Sequence, residues 1–139
     1  MLQKLMLELT TRSQEYYMPT SYAAKVIANA FILKSLQEDV PVSKTLLAWL
    51  VAVANDFHHK KYGRFLISEQ PEEINDEIVI PSLSYHYGNV SRYAPIEKFI
   101  YATQTRNPFR KRIAYFPPSS SFEIADSIQS AWDNYVKQI

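Results

Sequence analysis

The chain has 139 residues, a net charge of +1, two glycines and no cysteine. This length fits a single domain, residues 1–139, that can bury a core without covalent staples. Thiolate catalysis, disulfides and thiolate metal sites are excluded because they need cysteine. Phosphate-cradling loops need several closely spaced glycines, so the composition argues strongly against them as well. The near-neutral charge provides no overall field that would attract nucleic acid or a membrane.

Residues 2–11 predict a first amphipathic helix, because apolar side chains recur there at intervals of three and four. Lys4 and Glu8 interrupt this stretch, so it does not have the pattern of a signal peptide. The longest apolar stretch, residues 46–55, is shorter than the about 20 residues that cross a bilayer. We therefore expect a cytoplasmic protein without a membrane partner, and the absence of cysteine fits a reducing compartment.

A second helix is predicted to run to about Gln37, with Thr20 or Ser21 as its cap. A hydroxyl oxygen at that position would accept a hydrogen bond from a free backbone N–H group of the first turn. Its alanines would let a neighbouring helix approach closely. The sequence Asp39-Val40-Pro41 then predicts a break.

A third and longest helix is predicted from a cap at Ser43 to Tyr62. Apolar residues cover most of its circumference, which is typical of a helix at the centre of a fold. Gly63 follows its last residue, where a left-handed conformation commonly ends a helix.

The middle of the chain predicts short elements. Residues 64–68 could be extended, and the acidic residues 69–77 predict a solvated loop. Ile78–Ile80 predict a strand that ends at Pro81. Residues 82–87 predict at least one helical turn.

The last part of the chain predicts two helices and a strand. One helix begins at Pro95 and ends before Asn107, with Ile96, Phe99 and Ile100 facing inward. Residues 113–116 predict a strand that could pair with Ile78–Ile80. A capping box over residues 120–123 predicts the start of a C-terminal helix, about 120–139. Its inward face should carry Ala125, Ile128, Trp132, Tyr135 and Ile139.

These elements predict a mainly α fold with a small β element (α+β). We expect a compact helical domain with a long, central, buried helix and a short two- or three-stranded sheet.

Asp56, His58 and His59 form the most plausible metal or acid–base cluster. Adjacent residues of a helix point about 100° apart, so the two histidines cannot share a metal as an i, i+4 pair does. A polar helix end in water explains them better. No serine has the Gly-x-Ser-x-Gly context of a nucleophile elbow. We expect no catalytic residue, no cofactor and no metal.

Tyrosine is abundant, and it suits interfaces because a large ring is joined to a polar hydroxyl. Tyr85, Tyr87 and Tyr93 cluster around Gly88, and we expect them, with Trp132, to be anchors for a protein partner. Core packing explains the same residues about equally well. The acidic residues 69–77 could meet a basic partner.

A basic segment supplies an alternative. Arg106, Arg110 and Arg112 flank Phe109, and together they could contact phosphates while an aromatic ring stacks on a base. This pattern predicts a nucleic-acid-binding regulator, although such charges also flank strands for solubility.

The order of elements and several short motifs resemble the Panacea antitoxin domain family, over about residues 21–100. The matching segments are Ala24–Ile32, Ser43–Ala54, Gly63–Ile67, Ile78–Tyr85 and Tyr87-Gly88 with Pro95-Ile96. The family includes proteolytic adaptors and phage-associated proteins, and this chain would be a divergent member.

The resemblance implies an α-rich fold with a small sheet and no enzymatic activity. It also implies a protein that binds and neutralises a toxin, or delivers a protein to a protease, in a bacterium or its phage. We therefore expect a non-enzymatic protein-binding module of the antitoxin or adaptor kind. The alternatives are the nucleic-acid-binding regulator and an enzyme of unrecognised type.

Overall fold

Four helices and a two-stranded sheet form the part of the chain that the computed structural model describes, residues 21–100, 114–118 and 120–139. The elements are α1 (Ala24–Glu38), α2 (Lys44–Tyr62), β1 (Glu72–Ile74), β2 (Glu77–Val79), α3 (Pro81–His86) and α4 (Phe122–Val136). The predicted mainly helical α+β fold is thereby confirmed. The helix predicted over residues 2–11 lies outside the described residues. No helix among the described residues is both long and apolar enough to cross a membrane.

The start of α1 differs from the prediction. Its first flanking residue is Ala23, and no side chain caps it, so Ser21 is not the cap; Thr20 lies outside the described residues. The reason is tertiary, because Tyr22 forms an isolated parallel bridge with Ile67. The chain is therefore held extended immediately before the helix. Within residues 64–68, which the sequence predicts to be extended, only Ile67 takes part in strand pairing, through this bridge.

Helix α2 begins and ends as its sequence predicts. The Ser43 hydroxyl accepts a hydrogen bond from the Leu46 N–H group at 3.2 Å. Gly63 adopts a left-handed conformation (φ 77°) directly after the last helical residue. The helix packs against α1, α4 and β2, so it occupies the predicted central position.

The acidic stretch is a β-hairpin and not a loop. Strands β1 and β2 pair antiparallel with Glu73 opposite Ile78, and Asn75 and Asp76 join them with positive φ angles of 53° and 65°. Two-residue hairpin turns require this backbone conformation, and Asn and Asp tolerate it. The prediction that residues 113–116 pair with Ile78 is also wrong over 114–116, which form no strand.

One of the acidic residues stabilises the helix that follows the hairpin. The Glu69 carboxylate accepts hydrogen bonds from the backbone N–H group of Ser82, at 3.1 Å, and from the Ser82 hydroxyl. Glu69 therefore satisfies a free donor in the first turn of α3. Helix α3 itself confirms the helical turn predicted over residues 82–87.

Residues 95–100 are not helical, which contradicts the helix predicted from Pro95 over its described part. Ile96 and Ile100 are nevertheless buried, as predicted. The buried Asn29 side chain of α1 replaces the helical hydrogen bonds: its Oδ1 accepts from the Ile100 N–H group, and its Nδ2 donates to the Ile100 carbonyl, both at 2.8 Å. The same Nδ2 donates to the Tyr115 carbonyl at 3.1 Å.

Helix α4 begins one residue later than the predicted capping box. The Ser121 hydroxyl accepts a hydrogen bond from the Ile124 N–H group at 3.3 Å, while Glu123 forms an ion pair with Arg64. Ala125 and Ile139 are exposed, so their predicted inward position is wrong. The buried residues of α4 are Ile124, Ser127, Ile128, Ala131 and Trp132.

Candidate functional site

The predicted partner-binding residues fall into three groups. Tyr85 and Tyr93 are 85% and 80% exposed, so they are accessible as predicted. Tyr87 and Trp132 are buried, so neither is available as a surface anchor, and the inward position predicted for Trp132 in the C-terminal helix is confirmed. The remaining predicted residues, Arg106, Arg110 and Arg112, lie outside the described residues.

Trp132 is a core residue that connects α4 to α1. Its ring centroid lies 6.5 Å from that of Phe31, and its indole Nε1 donates a hydrogen bond to Glu38 Oε1 at 2.9 Å. A side chain that is 1% exposed cannot contact a partner without unfolding the interface. The prediction mistook a core aromatic for an interface anchor because both environments favour a large ring with one polar atom.

Tyr87 follows α3 and lines a cavity of about 290 Å³ between α2, β2 and α3. Its hydroxyl has no hydrogen-bond partner among the described residues, and burial raises its pKa. Its backbone carbonyl accepts a hydrogen bond from Lys44 Nζ at 3.3 Å. The residue therefore holds the end of α3 against the start of α2 instead of facing a partner.

The two exposed tyrosines lie at separate points. Tyr85 makes an edge-on contact with the neighbouring His86 ring. Tyr93 lies under the guanidinium of Arg92, whose carbon is 5.6 Å from the ring centroid. Arg92 also forms an ion pair with Glu77 of β2, so Tyr93 is tied to the hairpin.

The candidate cluster of Asp56, His58 and His59 is not assembled, and the expected polar helix end in water is wrong for His58. His58 is buried, and its Nδ1 is hydrogen-bonded to Ser127 Oγ of α4 at 2.7 Å. Burial, together with the nearby Arg64 charge, lowers the pKa of His58. Asp56 instead forms an exposed ion pair with Lys60 at 2.9 Å. Among the described residues, no group of three His, Asp or Glu side chains could hold a metal ion.

The most distinctive surface feature is an open apolar groove of about 350 Å³ between α2 and the hairpin. We call it the α2–hairpin groove. Its walls are mainly apolar side chains, which include two large aromatic rings. It is lined by Trp49, Ala52, Val53, Asn55, Asp56, Phe65, Gln70, Pro71 and Ile78.

A buried amide fixes the wall of the groove that follows α2. Asn55 Oδ1 accepts hydrogen bonds from the N–H groups of Leu66 and Ile67, at 2.7 and 3.0 Å. This places the preceding residue, Phe65, beside the groove, where its ring stacks on His59 with centroids 4.0 Å apart. Phe65 is still 47% exposed, so much of its surface remains available.

The hairpin beside the groove carries three exposed acidic side chains. Glu72, Glu73 and Asp76 are exposed, and none of them forms an ion pair with another described residue. Asp56 and Glu77, by contrast, are paired with bases as described above. Of the three exposed acids, Glu73 stands directly opposite Ile78 of the groove wall in the hairpin.

The sequence pattern of α2 does not indicate this groove, because apolar residues cover most of the helix and such a helix is expected to be buried at the centre of a fold. Trp49 and Val53 are in fact only partly buried. A usable signal was present: Asn75-Asp76 is a hairpin turn flanked by Ile74 and Ile78. A hairpin that short covers only part of a long helix.

Comparison with known protein families, with curated proteins and with solved structures finds no match for this chain. The resemblance to the Panacea family therefore stays a prediction that rests on the sequence motifs.

Proposed function

We propose that this protein is a non-enzymatic protein-binding module of the antitoxin or adaptor kind, which neutralises or delivers a partner protein. The observation that supports the proposal is the α2–hairpin groove, an exposed and mainly apolar surface that includes Trp49 and Phe65. Exposed apolar patches rimmed by polar residues typically mark interaction sites.

The composition of the groove suits a protein partner. Trp49 and Phe65 are of the aromatic type that supplies the largest share of binding free energy at protein interfaces. Such anchors act best near the centre of an interface, where neighbouring contacts exclude water.

A stable interface covers more surface than the groove alone. Specific complexes bury about 800 Å² on each partner. The hairpin adjoins the groove through Ile78, so a partner centred on the groove would also cover part of the hairpin.

The test compares two exposed phenylalanines in the native host. Tagged wild-type protein, Phe65→Ala and Phe122→Ala are purified, and the proteins recovered with each are quantified by mass spectrometry. Phe65 lies in the groove, whereas Phe122 is exposed at the start of α4 and is the matched control. We expect one protein to be recovered with the wild type and Phe122→Ala, and at least about tenfold less of it with Phe65→Ala.

Two results would contradict the proposal. One is that no protein is recovered specifically with the wild type. The other is that the recovered material is nucleic acid whose binding falls steeply with salt, which would favour the alternative predicted from the basic segment.

A further inference from the structure

We propose that the cavity between α2, β2 and α3 binds a small aliphatic carboxylate, and we call it the α2–α3 cavity. It shares only Ile78 with the lining of the α2–hairpin groove, and the inference does not depend on the proposed protein-binding function. Two polar groups of its wall carry the inference. One is a lysine that has no ion pair with a described residue, and the other is a buried tyrosine hydroxyl that has no described partner.

The lysine is a cation at the unfavourable end of its helix. Lys44 is the first residue of α2, where the helix dipole favours a negative charge over a positive one, and the first turn contains no acidic residue. Its Nζ donates a hydrogen bond to the Tyr87 carbonyl at 3.3 Å, and Lys44 forms no ion pair within the described residues. A bound anion would balance this charge.

The first turn of α2 offers backbone donors to the same anion. The Ser43 hydroxyl accepts a hydrogen bond from the N–H group of Leu46, so it does not cap the N–H groups of Lys44 and Thr45. Both of these residues line the α2–α3 cavity. Free N–H groups at a helix start, combined with a positive side chain, are a frequent arrangement for binding carboxylates.

The tyrosine is an independent indication that the cavity takes a polar ligand. Tyr87 lines the cavity and is 8% exposed, and its hydroxyl has no hydrogen-bond partner among the described residues. Buried hydroxyls nearly always have a partner, because an unpaired one is costly. Burial also raises the pKa of Tyr87, so the hydroxyl keeps its proton. A protonated hydroxyl donates, and a carboxylate oxygen accepts.

The rest of the wall limits the ligand to a small and partly apolar one. The side chains of Ala48, Ile78 and Leu83 supply apolar contacts. The volume of about 290 Å³ is that of about ten water molecules at about 30 Å³ each. Glu77 also lies in the wall, but it forms an ion pair with Arg92, so its charge is balanced. A bare inorganic anion would leave the apolar side chains uncovered, and a neutral ligand would leave Lys44 unbalanced.

The test is isothermal titration calorimetry of the full chain with 3-methylbutanoate, a short branched carboxylate. The neutral isostere 3-methylbutanamide and inorganic phosphate are the two matched control ligands. We expect saturable binding of the carboxylate, and binding of each control that is at least about tenfold weaker, because the charge-assisted hydrogen bonds and the apolar contacts act together.

Three variants locate the site. Lys44→Met should weaken binding of 3-methylbutanoate at least about tenfold, whereas Lys60→Met, at an exposed position of the same helix, should leave it unchanged. Tyr87→Phe should weaken binding severalfold. The same substitution should leave the free energy of unfolding of the free chain unchanged or raise it, because a buried hydroxyl without a partner is removed.

Several outcomes would overturn the inference. Absence of saturable binding, or equal binding of the amide or of phosphate, would exclude the stated ligand chemistry. Unchanged binding to both Lys44→Met and Tyr87→Phe would place the ligand elsewhere on the chain. A clear loss of stability in Tyr87→Phe would show that the hydroxyl already has a partner within the protein, and the cavity would then lose its second polar group.

Discussion

Helix α2 has two apolar faces, of which one is covered by α4 and the other is open to solvent. The face toward α4 is closed, and His58 contacts Ser127 there in the core. At the edge of this face, the Asp126 carboxylate accepts hydrogen bonds from Lys61 Nζ at 2.8 Å and from the Tyr62 hydroxyl at 2.6 Å. The face toward the hairpin is open and forms the groove.

The difference follows from the lengths of the covering elements. Helix α2 has 19 residues and is about 28 Å long at 1.5 Å per residue. Helix α4 has 15 residues, or about 22 Å, and covers most of it. Each hairpin strand has three residues, or about 10 Å, and cannot. An apolar helix face thus stays exposed to solvent where the element packed on it is too short to cover it.

The largest effect is expected where α4 packs on α1. Trp132→Ala should lower the free energy of unfolding by about 3–5 kcal/mol, because it removes a large buried ring and leaves a cavity. Urea denaturation measures the change. Phe122→Ala, in the same helix but exposed, should change it by less than about 0.5 kcal/mol. Equal effects of the two substitutions would show that α4 does not bury Trp132 against α1 as described.

The next largest loss of stability is expected at Asn55 of α2, which binds the segment that follows the helix. Asn55→Ala should lower the free energy of unfolding by about 2 kcal/mol, because two buried N–H groups lose their acceptor. Hydrogen exchange should accelerate most at the amides of Leu66 and Ile67. Asn134→Ala, on the exposed side of α4, is the control and should have little effect. Unchanged exchange at both amides would contradict the role of Asn55.

The closed face should also respond to pH. The pKa of buried His58 is lowered from 6.5, so the unfolded chain binds a proton more readily than the folded one. The stability that comes from the neutral, buried His58 is fully present above about pH 6.5. As the pH falls below that value, this group lowers the free energy of unfolding by at most about 1.4 kcal/mol per pH unit. Urea denaturation between about pH 5 and pH 7.5 measures the slope.

Two variants separate the contributions of His58 and His86 to the pH dependence of stability. His58→Asn keeps a polar atom near Ser127 and should remove most of that slope. The pKa of His86 is also lowered, by burial and by Lys25, but this side chain lies on the exposed side of α3. His86→Asn should therefore retain more of the slope, and the reverse order would refute the assignment to His58.

The smallest effect on stability is expected at the open face. Phe65→Ala should lower the free energy of unfolding by no more than about 1 kcal/mol, because nearly half of the side chain is already exposed. A thermal melt monitored by circular dichroism suffices. A loss of about 3 kcal/mol or more would mean that Phe65 belongs to the core and that the groove is closed in solution.

Local sequence signals were sufficient for α2, α3 and the approximate extent of α1 and α4. Ser43 and Gly63 mark the ends of α2 because a cap hydroxyl and a left-handed glycine act within a few residues. The start of α1 could not be read in the same way. It depends on the bridge between Tyr22 and Ile67, two residues that are far apart in the sequence.

The candidate site was less predictable than the fold. Tyr85 and Tyr93 are exposed, whereas Trp132 lies on the inward face that its helical spacing predicts, and that position excludes it as a partner anchor. The hairpin was missed because residues 69–77 were judged by charge rather than by the Asn75-Asp76 turn. The groove exists because the hairpin is shorter than α2, and no local sequence pattern predicts which elements pack against each other.

The amide of Asn29 joins two segments that are distant in the sequence. One nitrogen donates to the carbonyls of both Ile100 and Tyr115, so both residues are held at a single point on α1. Loss of this one side chain would therefore release both segments together, which makes Asn29 a single control point for two parts of the chain.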